Sequence, residues 1–348
     1  MIEPVGDECL RARLVAALED AGFGWEQVAG CRRLGGGTFS DVYGVRTAEG
    51  ARAVVKLAPA TGSPVLRYER GILGTEAWYL RTVRERTSVP VPTVLAVSAG
   101  DEGGPGDHLV TSECPGVPWE ELARSVGAEA RAALREELGG HMARVHAVTG
   151  TEGFGYPALP FGPLRSGWRE AFLEMVDSVL DDAGRFGVTL PRPAGEIRDV
   201  IAAESSSLDE VTTPRLVHWD LWDGNILAER RPDGPRITAL IDAERALWGD
   251  PVAELVSLAL FHDITRDEPF LRGYRAAGGS VSFDASTRNR MALYRAYLYL
   301  IMWVEARPRR FGAAQLAWLE RDVFEPLGVM LDAWARGEGP VAHWWPRG

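Results

Sequence analysis

The stretch LVHWDLWDGNILAE, residues 216–229, places His218, Asp220, Asp223 and Asn225 among residues that are typical of a protein core. Within it, Asp220 and Asn225 have the spacing of a phosphoryl-transfer catalytic loop. In such a loop the aspartate accepts the proton of an attacking hydroxyl group, and the asparagine binds a magnesium ion. The stretch therefore predicts a catalytic base at Asp220 and a metal ligand at Asn225.

The residues after this loop predict a second oxygen ligand. The sequences NILAE and RITALID predict two short strands, and the turn sequence RRPDGP separates them. Because an antiparallel hairpin brings its open ends together, Asn225 and Asp242 should be neighbours in space. An amide and a carboxylate beside Asp220 would suit a magnesium ion that carries nucleotide phosphates.

The one lysine of the chain, Lys56, is a candidate for phosphate binding, since all other residues among the 38 Lys and Arg are arginines. Lysine is a compact point charge, whereas arginine needs room for a planar fork. Lys56 ends a predicted strand after the segment LGGGTFSDVYGV. A hairpin turn would also explain these glycines. The pattern Gly35-x-Gly37-x-x-Ser40-x-Val42 before a strand lysine nevertheless favours a nucleotide-binding loop, with Ser40 in place of a third glycine.

A carboxylate partner for Lys56 is predicted on the next helix. The sequence GILGTEAWYLRTVRER has apolar residues at helical spacing and is followed by prolines at 90 and 92. Glu76 lies on this helix, where a glutamate can hold the strand lysine in position. Glu69, about two turns earlier, is the alternative candidate.

The pattern changes from strands to helices after the first third of the chain. We therefore predict an α+β, bilobal fold with a small β-rich N-terminal lobe at 1–113. The larger and mainly helical lobe takes 114–348 and begins with one helical run over 120–146. Between the lobes, Pro115 has no amide hydrogen, so Cys114 is the candidate backbone donor to an adenine edge.

Composition limits the classes of protein that this chain can represent. Its 348 residues, 46% hydrophobic and 25% charged, are typical of a globular protein. The net charge of −11 argues against a nucleic-acid partner and fits a cationic small molecule better. Three scattered cysteines fit neither a disulfide framework nor a zinc site and favour a cytoplasmic location. Neither a secretory signal nor a membrane-spanning run is predicted.

Some polar residues near these motifs are expected to be structural. His218 should hydrogen-bond within the catalytic loop, and His146 should pack or cap at the end of its helix. Asp223 precedes a glycine and is expected to be a turn residue.

Together these motifs resemble the aminoglycoside phosphotransferase family, the kinase-like small-molecule phosphotransferases. The matching runs lie between about residues 30 and 260 and are LGGGTFSDVYGV, AVVKLA, EAWYLRTVRERTSVPVPTVLAV, HLVTSECPG, LVHWDLWDGNILAE and ALIDAERALWGDPVAEL. The resemblance implies a protein-kinase-like fold. It also implies a catalytic base at Asp220, magnesium ligands at Asn225 and Asp242, a phosphate-positioning pair of Lys56 and Glu76, and backbone groups of Ser112 and Cys114 that face adenine.

Two tryptophans depart from the pattern of this family. Trp219 stands between His218 and Asp220, where the family usually has glycine, and Trp222 follows three residues later. Alternation along the chain should direct Trp219 away from Asp220 and into the core. For Trp222 we expect packing in the large lobe first. The alternative is a substrate contact, in which its ring stacks on a sugar or a cationic group of the acceptor.

The sequence thus predicts an ATP- and Mg²⁺-dependent O-phosphotransferase, with GTP left open as the donor. Its acceptor would be a hydroxyl group of a small molecule, with an antibiotic as one candidate. The acceptor should lie between the catalytic loop and the helices predicted at 166–184 and 287–306. Nothing after Asp242 matches the activation segment of protein kinases, which disfavours a protein substrate.

Two alternatives stay open from the sequence. Since DLWDGN also matches fructosamine kinases, a sugar or metabolite kinase of the same fold is the first. The second is a kinase-like module that binds nucleotide or a partner protein without catalysis. Such a module would not need all four of Lys56, Asp220, Asn225 and Asp242, so the sequence favours an enzyme.

Overall fold

The computed structural model of this protein describes residues 8–35, 39–59, 62–99, 107–157 and 163–339. Its small lobe contains a five-stranded antiparallel sheet. In chain order the strands are β1 (Val28–Arg33), β2 (Asp41–Thr47), β3 (Arg52–Leu57), β4 (Val94–Ser98) and β5 (His108–Ser112). They lie side by side in the order β1-β2-β3-β5-β4, so β3 occupies the centre.

The central strand determines where Lys56 points. Side chains on a strand alternate between its two faces, and Ala53, Val55 and Leu57 are buried on one of them. These three pack in a core with the helix α1 (Glu8–Asp20). Lys56 therefore leaves the sheet on the opposite face, away from α1.

The helix α2 (Ile72–Arg86) connects the small lobe with the large one. It begins after Gly71, which has the left-handed φ of 66°, and packs against β4 and β5. Its apolar residues Ile72, Tyr79 and Leu80 belong to the same core as the large lobe. The position of α2 is therefore fixed from both lobes, and so is that of Glu76, which it carries.

The chain passes between the lobes through a tight link. After β5 it forms the short strand β6 (Val117–Pro118), which pairs with the hairpin of the large lobe. At Gly116, whose φ is 104°, a Cβ atom would lie 2.6 Å from the carbonyl oxygen of Ala228. A glycine is therefore required for the link to lie this close to the hairpin.

The large lobe is mainly helical. Its helices are α3 (Trp119–Ala123), α4 (Ala128–His146), α5 (Trp168–Phe186), α6 (Ala194–Glu204), α7 (Pro251–Leu258), α8 (Glu268–Ala276), α9 (Ala285–Glu305), α10 (Ala313–Leu319) and α11 (Glu325–Ala335). Its strands are β7 (Arg215–Val217), β8 (Ile226–Glu229), β9 (Arg236–Leu240) and β10 (Leu247–Gly249). β8 and β9 form the predicted antiparallel hairpin, and β7 pairs with β10.

The helical run predicted over 120–146 is wrong in one respect, because it consists of two helices. α3 ends at Ala123, and α4 begins after Gly127, whose φ of −71° and ψ of 171° are extended. The helices predicted at 166–184 and 287–306 are present as α5 and α9. None of the described helices is long and apolar enough to cross a membrane.

Candidate active site

The loop from His218 to Asn225 connects β7 with β8 and is held by His218, which is fully buried. The backbone amide of His218 donates to Glu254 Oε2 at 2.7 Å. Its ring Nε2 donates to the carbonyl of Ile241 at 3.0 Å, and its Nδ1 accepts from the amide of Asp220 at 3.3 Å. These contacts confirm the predicted structural role, and they require the ring proton to be on Nε2.

Trp219 is fully buried, as predicted, and its backbone has a left-handed φ of 55°. This conformation is uncommon for a bulky residue, whereas a glycine would adopt it without strain. The indole packs against Tyr294 and Tyr297 of α9, with ring centroids 5.8 and 5.4 Å away. Burial of a large aromatic surface offsets the backbone strain, and the turn directs Asp220 out of the core.

The open ends of the β8–β9 hairpin bring Asn225 and Asp242 together. The amide of Ile241 donates to the carbonyl of Asn225 at 3.0 Å, one residue before Asp242. The side-chain Nδ2 of Asn225 donates to the backbone oxygen of Asp220 at 2.7 Å, which leaves Oδ1 as its acceptor atom. Asp242 has a left-handed φ of 65°, a conformation that aspartate tolerates better than most residues.

Lys56 joins this group from the small lobe. Its Nζ lies 2.8 and 2.7 Å from the two carboxylate oxygens of Glu76 and 2.6 Å from Asp242 Oδ1. Burial alone would lower the pKa of Lys56, but the charges of Asp242 and Glu76 raise it, so the ammonium stays protonated. The alternative partner, Glu69, instead pairs with Arg309 at 2.5 Å. The choice of Glu76 from the sequence agrees with these contacts.

The carboxylate of Asp220 lies beside a cation. Arg245 Nη1 lies 3.3 Å from Asp220 Oδ1. Burial raises the pKa of Asp220, while the charge of Arg245 opposes this rise. Burial and the nearby Asp242 also raise the pKa of Glu244 well above its usual range. The site thus holds more carboxylates than its two cations, Lys56 and Arg245, can balance.

This excess of acidic groups fits the binding of a divalent cation. No group of three or more His, Cys, Asp or Glu side chains is arranged as a metal site in the part of the chain that the structure describes. The pair of Asn225 and Asp242 supplies one amide oxygen and one carboxylate. Mg²⁺ commonly takes one or two protein ligands and completes its shell with water and phosphate oxygens. The residues present therefore fit magnesium bound together with a nucleotide.

Of the predicted nucleotide-binding residues, Val42 lies nearest to Lys56 along the sheet. Val42 is directly opposite Lys56 in the β2–β3 register. Ser40 precedes β2, and its hydroxyl is buried without a hydrogen-bond partner among the described residues. Apart from its chain neighbours, no described residue comes within 4 Å of a Cβ atom added at Gly35, and Gly37 lies outside the described residues.

The backbone of the link between the lobes is predicted to face adenine. The amide of Ser112 already donates to the carbonyl of Thr93 at 2.8 Å, and that of Glu113 donates to Arg52 at 3.3 Å. The amide of Cys114 makes no hydrogen bond within the described part of the chain. Of the two predicted positions, Cys114 therefore has the available donor, and Ser112 could contribute only its carbonyl.

Trp222 is exposed, so the first expectation for it, packing in the large lobe, is wrong. Its side chain is 46% exposed, and its ring lies over Gly224, where an added Cβ would come within 2.2 Å of it. Asp223 lies in a 3₁₀ turn, as expected, and its carboxylate is 3.6 Å from Arg135. His146 is buried and bonds to the hydroxyl of Tyr274 at 2.9 Å, which confirms its packing role.

Sequence reasoning missed Arg245, which touches the predicted base. A signal was present, since ALIDAERALWG places an arginine within an apolar run just after a predicted metal ligand. The contact itself depends on how the segment after Asp242 folds back onto the loop, and spacing does not reveal that.

Comparison with known proteins identifies the family to which the chain is similar. A sequence model described as the phosphotransferase enzyme family matches residues 30–294. No curated protein matches the chain in sequence.

Solved structures of similar fold include enzymes that act on small molecules. A protein assigned as a fructosamine-3-kinase from Thermobifida fusca is 23% identical, with a TM-score of 0.63, covering 95% of this chain and 99% of that chain. A mutant of aminoglycoside phosphotransferase APH(4)-Ia, in a ternary complex with AMP-PNP and hygromycin B, is 18% identical, with a TM-score of 0.59 and coverages of 95% and 98%. Macrolide 2'-phosphotransferase MphH from Brachybacterium faecium is 19% identical, with a TM-score of 0.54 and coverages of 89% and 97%.

These structures confirm the predicted kinase-like bilobal fold. The family model spans well over half of the chain, which confirms the resemblance to aminoglycoside phosphotransferases and the enzyme class, a small-molecule phosphotransferase. The chain belongs to the phosphotransferase enzyme family.

Proposed function

We propose that this protein transfers the γ-phosphoryl group of ATP, with Mg²⁺, to a hydroxyl group of a small molecule. One observation carries the proposal: residues from distant parts of the sequence meet in one cleft. Lys56 Nζ contacts Asp242 at 2.6 Å, and the side chain of Asn225 contacts the backbone of Asp220 at 2.7 Å. Groups suited to accept a proton, to ligate a metal ion and to bind phosphate thus lie together.

In the reaction, the acceptor oxygen forms a bond to the γ-phosphorus. The bond between that phosphorus and the β–γ bridging oxygen breaks, and ADP leaves. Asp220 accepts the proton of the acceptor hydroxyl, for which its Oδ2, left free by the described residues, suits it. Magnesium, held by Asn225 and Asp242, would neutralise phosphate charge.

The small lobe would bind the nucleotide. Lys56, fixed by both oxygens of Glu76, is placed to contact phosphates once these displace Asp242 from its Nζ. The free amide of Cys114 would donate to the adenine edge, and Ser112 would contribute its carbonyl. The segment that includes Gly35, Gly37, Ser40 and Val42 would cover the phosphates. GTP is left open as an alternative donor.

The acceptor would bind between the catalytic loop and the helices α5 and α9. Trp222 offers an exposed aromatic face two residues from Asp220, where a sugar ring or a cationic group could stack. An antibiotic hydroxyl is supported by the fold shared with APH(4)-Ia, solved with AMP-PNP and hygromycin B, and with a macrolide phosphotransferase. A sugar or metabolite kinase is the second candidate, supported by the fructosamine-3-kinase of similar fold.

A screen for phosphorylated products tests the proposal. Aminoglycosides, macrolides, and free and glycated sugars are incubated with the protein, ATP and Mg²⁺, and mass spectrometry records the gain of one phosphoryl group. The expected result is a gain on one compound class that disappears with EDTA and with Asp220→Asn. ATP binding without transfer to any compound would favour the non-catalytic module instead.

A further inference from the structure

Arg245 is a buried arginine whose side chain contacts the carboxylate of Asp220. It follows Asp242 by three residues and is only 7% exposed. Its Nη1 lies 3.3 Å from Asp220 Oδ1, and among the described residues this is the one donor to that carboxylate. The contact leaves Oδ2 of Asp220 available to another donor.

The guanidinium of Arg245 is fixed at all three nitrogens. Nη2 donates to Glu305 Oε2 at 3.1 Å, and Nε donates to the hydroxyl of Tyr68 at 3.3 Å. The guanidinium carbon also lies 5.7 Å from the centroid of the Tyr68 ring. Since a guanidinium is planar, three partners in different directions determine its orientation.

Glu305, which holds Arg245, is in turn held by other residues. Glu305, at the end of α9, also lies 3.1 Å from Arg309, and Arg309 contacts Glu69 at 2.5 Å. Tyr68 and Glu69 belong to the 3₁₀ turn just before α2, the helix that carries Glu76. A continuous buried network therefore runs from the catalytic loop, through α9, to the segment that positions α2.

Such a network is not explained by stability alone. Buried charges lose their hydration, and apolar side chains of similar volume often stabilise a core as well or better. The network includes the carboxylate of Asp220, which the proposed reaction needs in one orientation. A role in that orientation accounts for the presence of a buried guanidinium here.

We propose that Arg245 is a positioning residue, which orients the Asp220 carboxylate so that Oδ2 faces the acceptor hydroxyl, and that Glu305 fixes Arg245. The inference rests on the proposed function, since there Asp220 takes the acceptor proton as the new O–P bond forms and ADP leaves. Arg245 keeps its own protons throughout, because a guanidinium is not deprotonated in proteins.

The first test compares substitutions at Arg245 with wild type in the phosphorylation assay. Arg245→Met keeps the volume and removes the fork, so kcat should fall by about 10²-fold, as for a misplaced catalytic group. The KM for ATP should stay near wild type, although the Tm should fall because Asp220 and Glu305 lose a buried partner. Arg245→Lys restores the charge without the fork and should recover part of the loss. As a matched control, Arg272→Met removes an arginine that pairs with Glu136 on the surface and should leave kcat unchanged.

A double substitution separates positioning from a purely structural role. If Arg245 acts through Asp220, Asp220→Asn with Arg245→Met should be no slower than Asp220→Asn alone. Losses that multiply, or wild-type kcat in Arg245→Met, would overturn the inference and leave the proposed function intact. If Arg245→Met does not fold, Glu305→Gln replaces it in the same cycle with the same two outcomes. A wild-type protein that phosphorylates no acceptor would instead overturn the proposed function, and the inference with it.

Discussion

Lys56 Nζ lies 2.6 Å from Asp242 Oδ1, although the two residues are 186 positions apart in the sequence. The same Nζ contacts both oxygens of Glu76. One ammonium therefore connects the central strand, α2 and the end of the hairpin. Asp242 is also the proposed magnesium ligand. When metal and nucleotide bind, Asp242 must therefore exchange its contact with Lys56 for one with the metal, and Lys56 must contact phosphates instead.

Replacing Lys56 with arginine should impair the enzyme although the charge is kept. The ammonium fits between Glu76 and Asp242, and a larger planar fork would displace one of them and the nucleotide phosphates. We expect Lys56→Arg to lower kcat/KM for ATP by about 10²-fold. Arg46→Lys on the exposed part of β2 is the control and should have no effect. Wild-type kinetics in Lys56→Arg would mean that the single lysine is an accident of composition.

Replacing Asp242 with asparagine should change the response to magnesium. Loss of an outer partner of a metal ligand already costs about 10- to 100-fold in affinity, so loss of a direct ligand should cost at least as much. The Mg²⁺ concentration for half-maximal activity of Asp242→Asn should therefore rise by about tenfold or more. Asp223→Asn, on the catalytic loop, controls for general effects of removing a carboxylate. An unchanged magnesium titration would exclude Asp242 as a ligand.

The parts of the site that could be predicted from the sequence are those fixed by local spacing. Asp220 and Asn225 lie on one loop, and the hairpin needs only a turn sequence to bring Asn225 and Asp242 together. The choice of Glu76 over Glu69 followed from the expected helix, and Glu69 lies in the turn before α2, where it pairs with Arg309. These predictions therefore depended only on local geometry.

The contacts of Arg245 could not be predicted in the same way. Its partner Glu305 is 60 residues away in the sequence, and its partner Tyr68 is 177 residues away. Such contacts depend on how α9 and the segment before α2 pack against the loop. The exposure of Trp222 was missed for a related reason. Its ring lies over a glycine of its own turn, which periodicity does not show.

Replacing Asp220 with asparagine should remove most of the chemistry and keep nucleotide binding. An asparagine preserves the shape of the side chain but cannot accept the acceptor proton, and general-base catalysis contributes about 10²- to 10⁴-fold. We expect kcat to fall by that amount while the Kd of ATP, measured by calorimetry with Mg²⁺, stays near wild type. Near-normal turnover, when chemistry limits the rate, would show that Asp220 is not the base.

Replacing Glu254 with glutamine should make stability less dependent on pH. Burial alone would raise the pKa of Glu254, but the nearby His146 and the backbone amide of His218, which donates to its carboxylate, lower it. A carboxylate with a lowered pKa stabilises the folded state above its unfolded pKa, and this stabilisation is lost as pH falls through the folded value. Glu254→Gln should thus lower the free energy of unfolding by about 2 kcal/mol at pH 7.

Urea unfolding at pH 7 and at successively lower pH values measures this difference. The difference in the free energy of unfolding between wild type and Glu254→Gln should be largest at pH 7. It should shrink as the wild-type carboxylate becomes protonated. Glu268→Gln, at the exposed start of α8, is the control with little effect. A gap of the same size at every pH would show that the charge of Glu254 does not stabilise the fold.

Replacing Trp222 with alanine tests whether its ring belongs to the acceptor site. The side chain is 46% exposed, so its truncation should change the Tm little. A stacking or cation–π contact of about 1 kcal/mol would raise the KM of the acceptor by about fivefold, while the KM for ATP stays the same. Trp222→Phe should retain most of the acceptor affinity. Val329→Ala, another exposed apolar position, controls for surface effects and should change neither KM. Equal rises in both KM values would place Trp222 in a general role in loop structure, and no rise in either would leave its ring outside the acceptor site.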